Sequence, residues 1–269
     1  MMSEYDIYRG LKLDMIRKAV RAVFEAIGFK IRRKPKLKLT RLCWPDNLQN
    51  SQVFFECDKE FHELYDHAQL KTQMTSTDNP LRRQRHYTLN KLLLQSTIGG
   101  GDVCEIGCWR GLSAYQIAHH IKNKGVLFMI FDSFEGLSEI RQIDKQFNRI
   151  QNDNSVKDQF RCSLETVQKN LKEFNFVRYY KGWVPERFNE VKNRTFSFVH
   201  IDVDLFQPIY DSFKFFYPRL QKNGIMVFDD YGSMQFPGAK KAIDKCLQEF
   251  DYPFFIPLPS GQAFLVKRC

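Results

Sequence analysis

Three aspartates in the C-terminal half of the chain are the residues best suited to chemistry. Asp202 follows an apolar run at 196–201, and the pair Asp229 and Asp230 follows a second apolar run at 224–228. A helix between two parallel strands returns the chain to the neighbouring strand end, so we expect the three carboxylates to lie side by side. Acids on solvated loops are the alternative. Carboxylates with room for water and substrate oxygens suit Mg²⁺, so the spacing predicts a magnesium site.

A second group of residues has the features of a cofactor turn. Gly107 and Gly111 follow an apolar strand and precede a helix, and each glycine lets a ligand approach the main chain closely. Their spacing differs from the dinucleotide fingerprint, and an ordinary strand-to-helix turn is the alternative. Asp132 ends the next apolar run, where an acid typically binds ribose hydroxyls; a helix N-cap is the other interpretation.

These side chains would be positioned by alternating strands and helices. Apolar runs predict strands at 102–107, 126–131, 176–180, 196–201 and 224–228, with a terminal hairpin at 254–256 and 263–266. Amphipathic segments predict helices at 112–121, 164–174, 209–220 and 239–250. The pattern predicts an α/β fold: a Rossmann-like, doubly wound, mostly parallel sheet of seven strands with an antiparallel C-terminal hairpin strand. Ligands bind at the carboxyl ends of such strands.

The N-terminal part of the chain differs in charge from the rest. Residues 1–41 hold 12 lysines and arginines against four acids, which is +8 of the formal net charge of +10. The pattern of residues 11–34 predicts an amphipathic helix. This helix packs on its own domain or on a partner copy; the alternative is that it contacts an anionic membrane surface. We therefore predict three regions: 1–41 as a basic helix and linker, 42–100 as a helical cap, and 101–269 as the catalytic domain.

Composition excludes several classes of protein. The near-neutral charge after residue 41 argues against a nucleic-acid substrate, and the 7 scattered cysteines form neither a zinc motif nor a disulfide framework. No segment of the sequence has the length and apolarity of a transmembrane helix. A cytoplasmic protein is expected, peripheral on the inner face of a membrane if the basic helix binds lipid.

Five motifs follow one another along the chain: Glu-Ile-Gly-Cys-Trp-Arg-Gly at 105–111, Asp-Ser-Phe-Glu-Gly-Leu at 132–137, Lys-Gly-Trp at 181–183, Asp-Val-Asp-Leu at 202–205 and Asp-Asp-Tyr at 229–231. In this order they resemble the macrocin O-methyltransferase family, whose members methylate sugar hydroxyls with S-adenosylmethionine and Mg²⁺. The resemblance begins near residue 72 and runs to the end of the chain. Upstream, Met74, Thr75 and Ser76, followed by Arg85, resemble the family's segment that covers the cofactor.

This resemblance implies a full set of site residues. Asp202, Asp229 and Asp230 would hold the metal. The cofactor would be bound by residues at the strand ends and in the cap: Met74, Thr75, Glu105, Gly107, Arg110, Gly111, Asp132, Ser133 and Trp183. Trp183 would stack near the adenine, although core packing is an equal alternative.

Asp202 is also the expected general base. The more distantly similar catechol methyltransferases have a lysine three residues after the first metal acid, where this chain has Leu205. His200 is a weaker candidate, because a strand residue two positions before the turn more often faces the core. The chain departs from the family at Val203, which replaces the usual glycine, and in a longer polar stretch at 139–159 where substrate-facing loops are expected.

The resulting hypothesis is an enzyme that methylates a hydroxyl of a sugar-bearing small molecule and works as a homo-oligomer. Methylation of an aromatic vicinal diol is the alternative within the same enzyme class. A module that binds the cofactor without catalysis, and docks through its basic leader, is the alternative outside it, but binding alone does not require a metal site.

Overall fold

The computed structural model describes residues 54–96, 100–145, 158–250 and 254–268, and its central feature is one sheet. The strands of this sheet are β1 (Asp102–Ile106), β2 (Phe128–Asp132), β3 (Val177–Lys181), β4 (Phe196–Ile201), β5 (Leu220–Phe228), β6 (Phe254–Pro257) and β7 (Ala263–Val266). Their spatial order is β3-β2-β1-β4-β5-β7-β6. β1 to β5 are parallel and β7 is antiparallel to both neighbours. The sequence-based prediction of a mostly parallel seven-stranded sheet is confirmed.

Seven α-helices accompany the sheet in the described residues. They are α1 (Phe54–Cys57), α2 (Lys59–Thr72), α3 (Pro80–Ser96), α4 (Leu112–Ile121), α5 (Leu164–Asn170), α6 (Phe206–Phe216) and α7 (Gly238–Glu249). Asp58 caps α2 by accepting a hydrogen bond from the Phe61 amide, and Ser163 caps α5 through the Thr166 amide. Both caps satisfy amides that have no partner within the helix.

Apolar side chains cover the sheet on both faces. On one face, Tyr65 of α2, Leu89 of α3 and Tyr115 of α4 pack with strand residues such as Val103 and Phe198. On the other face, α6 and α7 pack against alternate residues of the same strands, with Ile209, Phe213, Ile243, Val199 and Met226 among them. Each fully buried side chain of this size contributes roughly 1.5–3 kcal/mol. The two apolar layers thus fix the helices against the strands that position the site.

The parallel strands end level with one another. Ile106 of β1 pairs with Phe131 of β2 on one side and with Ile201 of β4 on the other, and Ile201 in turn pairs with Phe228 of β5. The residues that follow these pairs therefore emerge at the same edge of the sheet. The chain reverses its direction of winding between β1 and β4, and the crevice at such a switch point is where doubly wound sheets bind ligands.

Some predicted bounds were wrong. The helix predicted at 209–220 is α6, which begins at Phe206 and ends at Phe216, and β5 already begins at Leu220. Pro218 contributes to the early end, because a proline has no amide hydrogen with which to continue the helical hydrogen bonds. The helix predicted at 164–174 is also shorter, since regular α-helix ends at Asn170 and a turn closed by a bond from the Phe174 amide to Leu171 O follows.

The segment after β2 is fixed to two helices by one buried acid. Asp144 ends a short 3₁₀ helix (Gln142–Asp144), and its Oδ1 accepts a hydrogen bond of 2.7 Å from the amide of Phe206 at the start of α6. Gly238 starts α7 against the same oxygen, so closely that a Cβ there would lie 2.0 Å from Oδ1. The carboxylate is thus placed at the positive ends of both helices.

The basic N-terminal helix predicted at 11–34 and the domain boundary predicted at residue 41 lie outside the described residues. Their membrane and packing alternatives, and the expected homo-oligomer, stay predictions. Within the described ranges, no helix combines the length and the apolar character required to cross a bilayer.

Candidate active site

The turn after β1 brings the first and fourth strands into close contact. Gly107 has a φ of +82°, and a Cβ at this position would lie 1.9 Å from the main-chain oxygen of Asp202. The Asp202 amide in turn donates a 2.8 Å hydrogen bond to the oxygen of Ile106. Only glycine fits, for reasons of both backbone conformation and space. The predicted cofactor turn and the predicted catalytic acid are therefore adjacent through their main chains.

This contact gives a stability prediction. Gly107→Ala should lower the free energy of unfolding by about 2–5 kcal/mol, because a left-handed conformation and a main-chain clash are combined. Gly125→Ala is the matched control, since Gly125 has a φ of +70° but no atom within 4 Å of an added Cβ. The control should lose only about 1–2 kcal/mol. Urea denaturation measures both, and equal losses in the two variants would contradict the close approach.

Asp132 lies beside this turn and organises it. Its Oδ2 accepts hydrogen bonds from the amides of Cys108 at 2.8 Å and Trp109 at 3.3 Å, and its Oδ1 accepts one from the amide of Phe134 at 2.7 Å. An ionised carboxylate has about four acceptor positions. Asp132 therefore holds the glycine turn and the next loop together and keeps capacity for a ligand hydroxyl.

The three predicted metal acids meet at the ends of β4 and β5. One oxygen from each of Asp202, Asp229 and Asp230 lies within 4.8 Å of the others. Burial and the neighbouring aspartates raise the pKa of Asp202 well above its usual value, and burial and Asp229 raise that of Asp230 to about 6. The same causes, burial first and then Asp230, raise the pKa of Asp204. Such concentrated negative charge favours a bound cation.

Two donors already hold Asp229. Arg85 of α3 donates from Nη2 to the Asp229 Oδ2 and, at 2.6 Å, to its main-chain oxygen, and Gln262 donates to Oδ1 at 2.7 Å. Burial would raise the pKa of Asp229, but Arg85 and His200 outweigh it and hold that pKa well below its ordinary value. Arg85 also lies 3.7 Å from Asp230.

A buried imidazole connects this cluster with β1. His200 Nδ1 lies 2.9 Å from Glu105 Oε1, and Nε2 lies 3.8 Å from Asp229 Oδ1. Glu105 and His200 are paired in register on β1 and β4, and both are almost inaccessible. Burial opposes a charged imidazole, but the two carboxylates outweigh it and raise the pKa of His200 to about 10. His200 therefore lies between the carboxylates of Glu105 and Asp229.

The turn and the acid cluster open into one cavity of about 460 Å³. Most of the predicted site residues line it, namely Met74, Gly107, Arg110, Asp132, Ser133, Trp183, Asp202, Asp229 and Asp230. Three predicted cofactor residues are not among its lining. Thr75 is exposed at the start of a 3₁₀ helix, Gly111 starts α4 with a φ of +89°, and Glu105 faces His200 inside the protein.

The comparison with protein families agrees with this geometry. Residues 49–251 match the model of the family described as macrocin-O-methyltransferase (TylF). The chain belongs to the macrocin-O-methyltransferase family. The resemblance inferred from the five ordered motifs is thereby confirmed.

Two relatives from Streptomyces are similar to this chain in sequence. Demethyldecarbamoylnovobiocin O-methyltransferase of Streptomyces niveus is 27% identical over 163 residues, which cover 56% of this chain and 60% of the relative. The 8-demethyl-8-(2,3-dimethoxy-alpha-L-rhamnosyl)-tetracenomycin-C 4'-O-methyltransferase of Streptomyces olivaceus is 27% identical over 157 residues, covering 54% and 55%. The chain thus matches less than two thirds of the length of either relative.

Solved structures show the same fold. The O-methyltransferase NovP superposes with a TM-score of 0.56 at 20% identity, over 70% of this chain and 81% of that one. The calicheamicin methyltransferase CalS11 gives a TM-score of 0.59 at 16% identity, over 80% and 94%. At these identities the similarity establishes the architecture only.

For this member of the macrocin-O-methyltransferase family, sequence reasoning missed three contributors to the site. Arg85 was noted only as part of a motif, and Gln262 was not noted. His200 was ranked low as a residue facing the core, yet it lines the cavity as well as being buried. A usable signal existed for His200: it and Glu105 each stand one residue before the end of adjacent parallel strands, which places them side by side.

Proposed function

We propose that this chain is an S-adenosylmethionine-dependent O-methyltransferase that acts on a hydroxyl of a sugar or sugar-bearing small molecule, with a divalent metal ion, Mg²⁺, at Asp202, Asp229 and Asp230. The observation that carries the proposal is that a single cavity of about 460 Å³ contains both the glycine turn with Asp132 and the three-aspartate cluster. A methyl donor at the turn and an acceptor at the cluster would then be direct neighbours.

The cofactor would occupy the side of the cavity formed by β1, β2 and the cap. Asp132 has acceptor capacity for the ribose hydroxyls, and Gly107 lines the same cavity beside it. Arg110 lines the same cavity and could pair with the cofactor carboxylate. Trp183, about one third exposed, offers an aromatic face, and the buried Met74 supplies apolar contact from the cap.

The acid cluster fits a hard divalent cation. Its oxygens are close enough to share one ion, and in the described residues no donor hydrogen-bonds to the carboxylate of Asp202. The group of three acids is an all-oxygen donor set, as Mg²⁺ prefers. A metal held there would lower the pKa of a bound acceptor hydroxyl.

The protein residues would then have simple roles. Asp202 accepts the proton of the acceptor hydroxyl, since its carboxylate has no competing donor among the described residues. S-adenosylmethionine bound in the cavity would supply the methyl group: the acceptor oxygen would bond to the methyl carbon as the carbon–sulfur bond breaks, and neutral S-adenosylhomocysteine would be left. Asp132 and the turn at Gly107 hold the donor in line, and this positioning supplies much of the rate enhancement.

Some of the side chains in the cavity lining suit a hydroxyl-rich acceptor. The uncharged polar ones include Asn79, Ser138, Gln159, Ser233 and Gln235. Such groups can pair with sugar hydroxyls, whereas a flat aromatic diol would require an apolar slot. The relative in Streptomyces olivaceus is named for a rhamnosyl-bearing substrate, which agrees with this assignment.

The test is a methyl-transfer assay with S-adenosylmethionine, Mg²⁺ and three acceptor sets: glycosylated antibiotics with free vicinal hydroxyls, the matching aglycones, and catechols. We expect S-adenosylhomocysteine and a methylated product from the glycosides alone, because uncharged polar side chains in the cavity lining can pair with sugar hydroxyls. Mass spectrometry of the products identifies the methylated sugar.

Two controls separate the parts of this proposal. S-adenosylhomocysteine should raise the melting temperature and NAD should not, since only a ligand of the native state stabilises it. If catechols are methylated and glycosides are not, the acceptor is an aromatic diol and the enzyme is still an O-methyltransferase. No shift with S-adenosylhomocysteine at millimolar concentration would refute the proposed activity itself.

A further inference from the structure

Arg85 places a positive charge on the acid cluster from a distant part of the chain. It belongs to α3, 144 residues before Asp229, and its Nη2 donates to both Oδ2 and the main-chain oxygen of that aspartate. Asp230 Oδ1 lies 3.7 Å from the same nitrogen. A protein cation therefore lies where a divalent ion would approach the carboxylates.

The three acids are not equally available to a metal. Asp229 has both carboxylate oxygens engaged, one by Arg85 and the other by Gln262 at 2.7 Å. Asp230 accepts only a 3.2 Å bond from the amide of Asp204 at Oδ2, in addition to its contact with Arg85. The carboxylate of Asp202 has no hydrogen-bond donor in the described part of the chain. A metal bound to all three acids would therefore share Asp229 with these donors, and the positive charge of Arg85 would oppose it there.

We propose that Arg85 is the resident counter-cation of this cluster and that a divalent metal ion binds by displacing its Nη2 from Asp229 Oδ2. This inference rests on the proposed metal-dependent function. The bond of the same nitrogen to the main-chain oxygen of Asp229, at 2.6 Å, does not involve the ligating carboxylate and can persist. Arg85 thereby sets the affinity for the metal, because guanidinium and metal compete for one oxygen and repel each other.

Competition with the metal and support of Asp229 by Arg85 predict opposite changes in metal affinity when Arg85 is removed. If Arg85 only held Asp229 in a ligating rotamer, its removal would weaken metal binding. If it competes with the metal, its removal frees an oxygen and deletes a positive charge, so binding becomes tighter. A charge-assisted hydrogen bond of this kind corresponds to a change in affinity on the order of tenfold or more.

The experiment measures Mn²⁺ binding to the full chain without cofactor, from the electron paramagnetic resonance signal of the free ion. Arg85→Gln should bind Mn²⁺ about tenfold or more tightly than wild type. Arg82→Gln is the matched control: it lies one turn earlier on α3 and lines the same cavity, but it contacts Thr77 and the ring of Trp109 instead of the acids. Its Mn²⁺ affinity should equal that of wild type.

Arg85→Lys provides a second variant if the glutamine variant does not fold. The ammonium keeps the charge but cannot reproduce the planar guanidinium contact, so an affinity at or above the wild-type value is expected. Unchanged or weaker Mn²⁺ binding by Arg85→Gln, or weaker binding by Arg85→Lys where only that variant folds, overturns the proposal. If Arg85→Gln binds Mn²⁺ and wild type does not, the result supports displacement of Arg85 by the metal most strongly.

The metal proposal and the Arg85 proposal fail in different ways. If wild type binds Mn²⁺ and Arg85→Gln binds it no more tightly, only the role of Arg85 is wrong. If neither wild type nor the variant binds Mn²⁺ at millimolar concentration, the proposed metal site is wrong. The proposed competition between Arg85 and the metal is then wrong as well.

Discussion

Asp202→Asn should lower kcat for methyl transfer by about 10³-fold, because it removes both the proposed proton acceptor and a metal-binding oxygen. Asparagine has nearly the same shape as aspartate and leaves the main-chain contact with Gly107 in place. Binding of S-adenosylhomocysteine should therefore stay within a few-fold of wild type, on the order of 1 kcal/mol or less. A radiolabelled methyl-transfer assay and a calorimetric titration make the two measurements.

Asp211→Asn is the control for this substitution. Asp211 lies on α6 and accepts a 2.9 Å hydrogen bond from Gln207, and it is not part of the cavity lining. The same chemical change there should leave kcat near the wild-type value. An Asp202→Asn enzyme that retained more than about a tenth of the wild-type rate would exclude Asp202 as the base, since general-base catalysis alone contributes about 10²–10⁴-fold.

Removal of divalent metal should have the second large effect. Activity in excess EDTA should fall by about 10²-fold or more and return when Mg²⁺ is added in excess, because the metal supplies several kcal/mol of charge stabilisation. EDTA presaturated with Mg²⁺ serves as the control for effects of the chelator itself. Undiminished turnover after prolonged dialysis against EDTA would show that the aspartates act without a metal.

The strand ends were predictable from the sequence because each is a local pattern. An apolar run that stops at a carboxylate marks a buried parallel strand and the start of a loop, and this reasoning correctly located Asp132, Asp202 and Asp229. The parallel arrangement then brings the acids to one edge, as the cluster confirms. Fold and acid cluster therefore follow from periodicity together with topology.

The partners of these acids could not be predicted in the same way. Arg85 reaches Asp229 across 144 residues from α3, and Gln262 reaches it from the C-terminal hairpin. Nothing in the local sequence of α3 distinguishes Arg85 from Arg82 and Arg83, which contact other groups. Such contacts depend on how helices are packed against the sheet, and single-sequence patterns carry no information about that packing.

The buried Asp144 makes the segment between β2 and residue 144 a replaceable loop. The segment that follows β2 is fixed at one end by the turn at Ser133, whose hydroxyl bonds to Gly136, and at the other by Asp144 between α6 and α7. Between these two ends, Leu137 and Ser138 line the cavity. Because both ends are attached to the rigid framework, the loop between them can be replaced without moving the strands and helices that hold it. Under the proposed function, replacing residues 137–143 with those of another family member should change acceptor selectivity and leave Asp132 and the three aspartates in place.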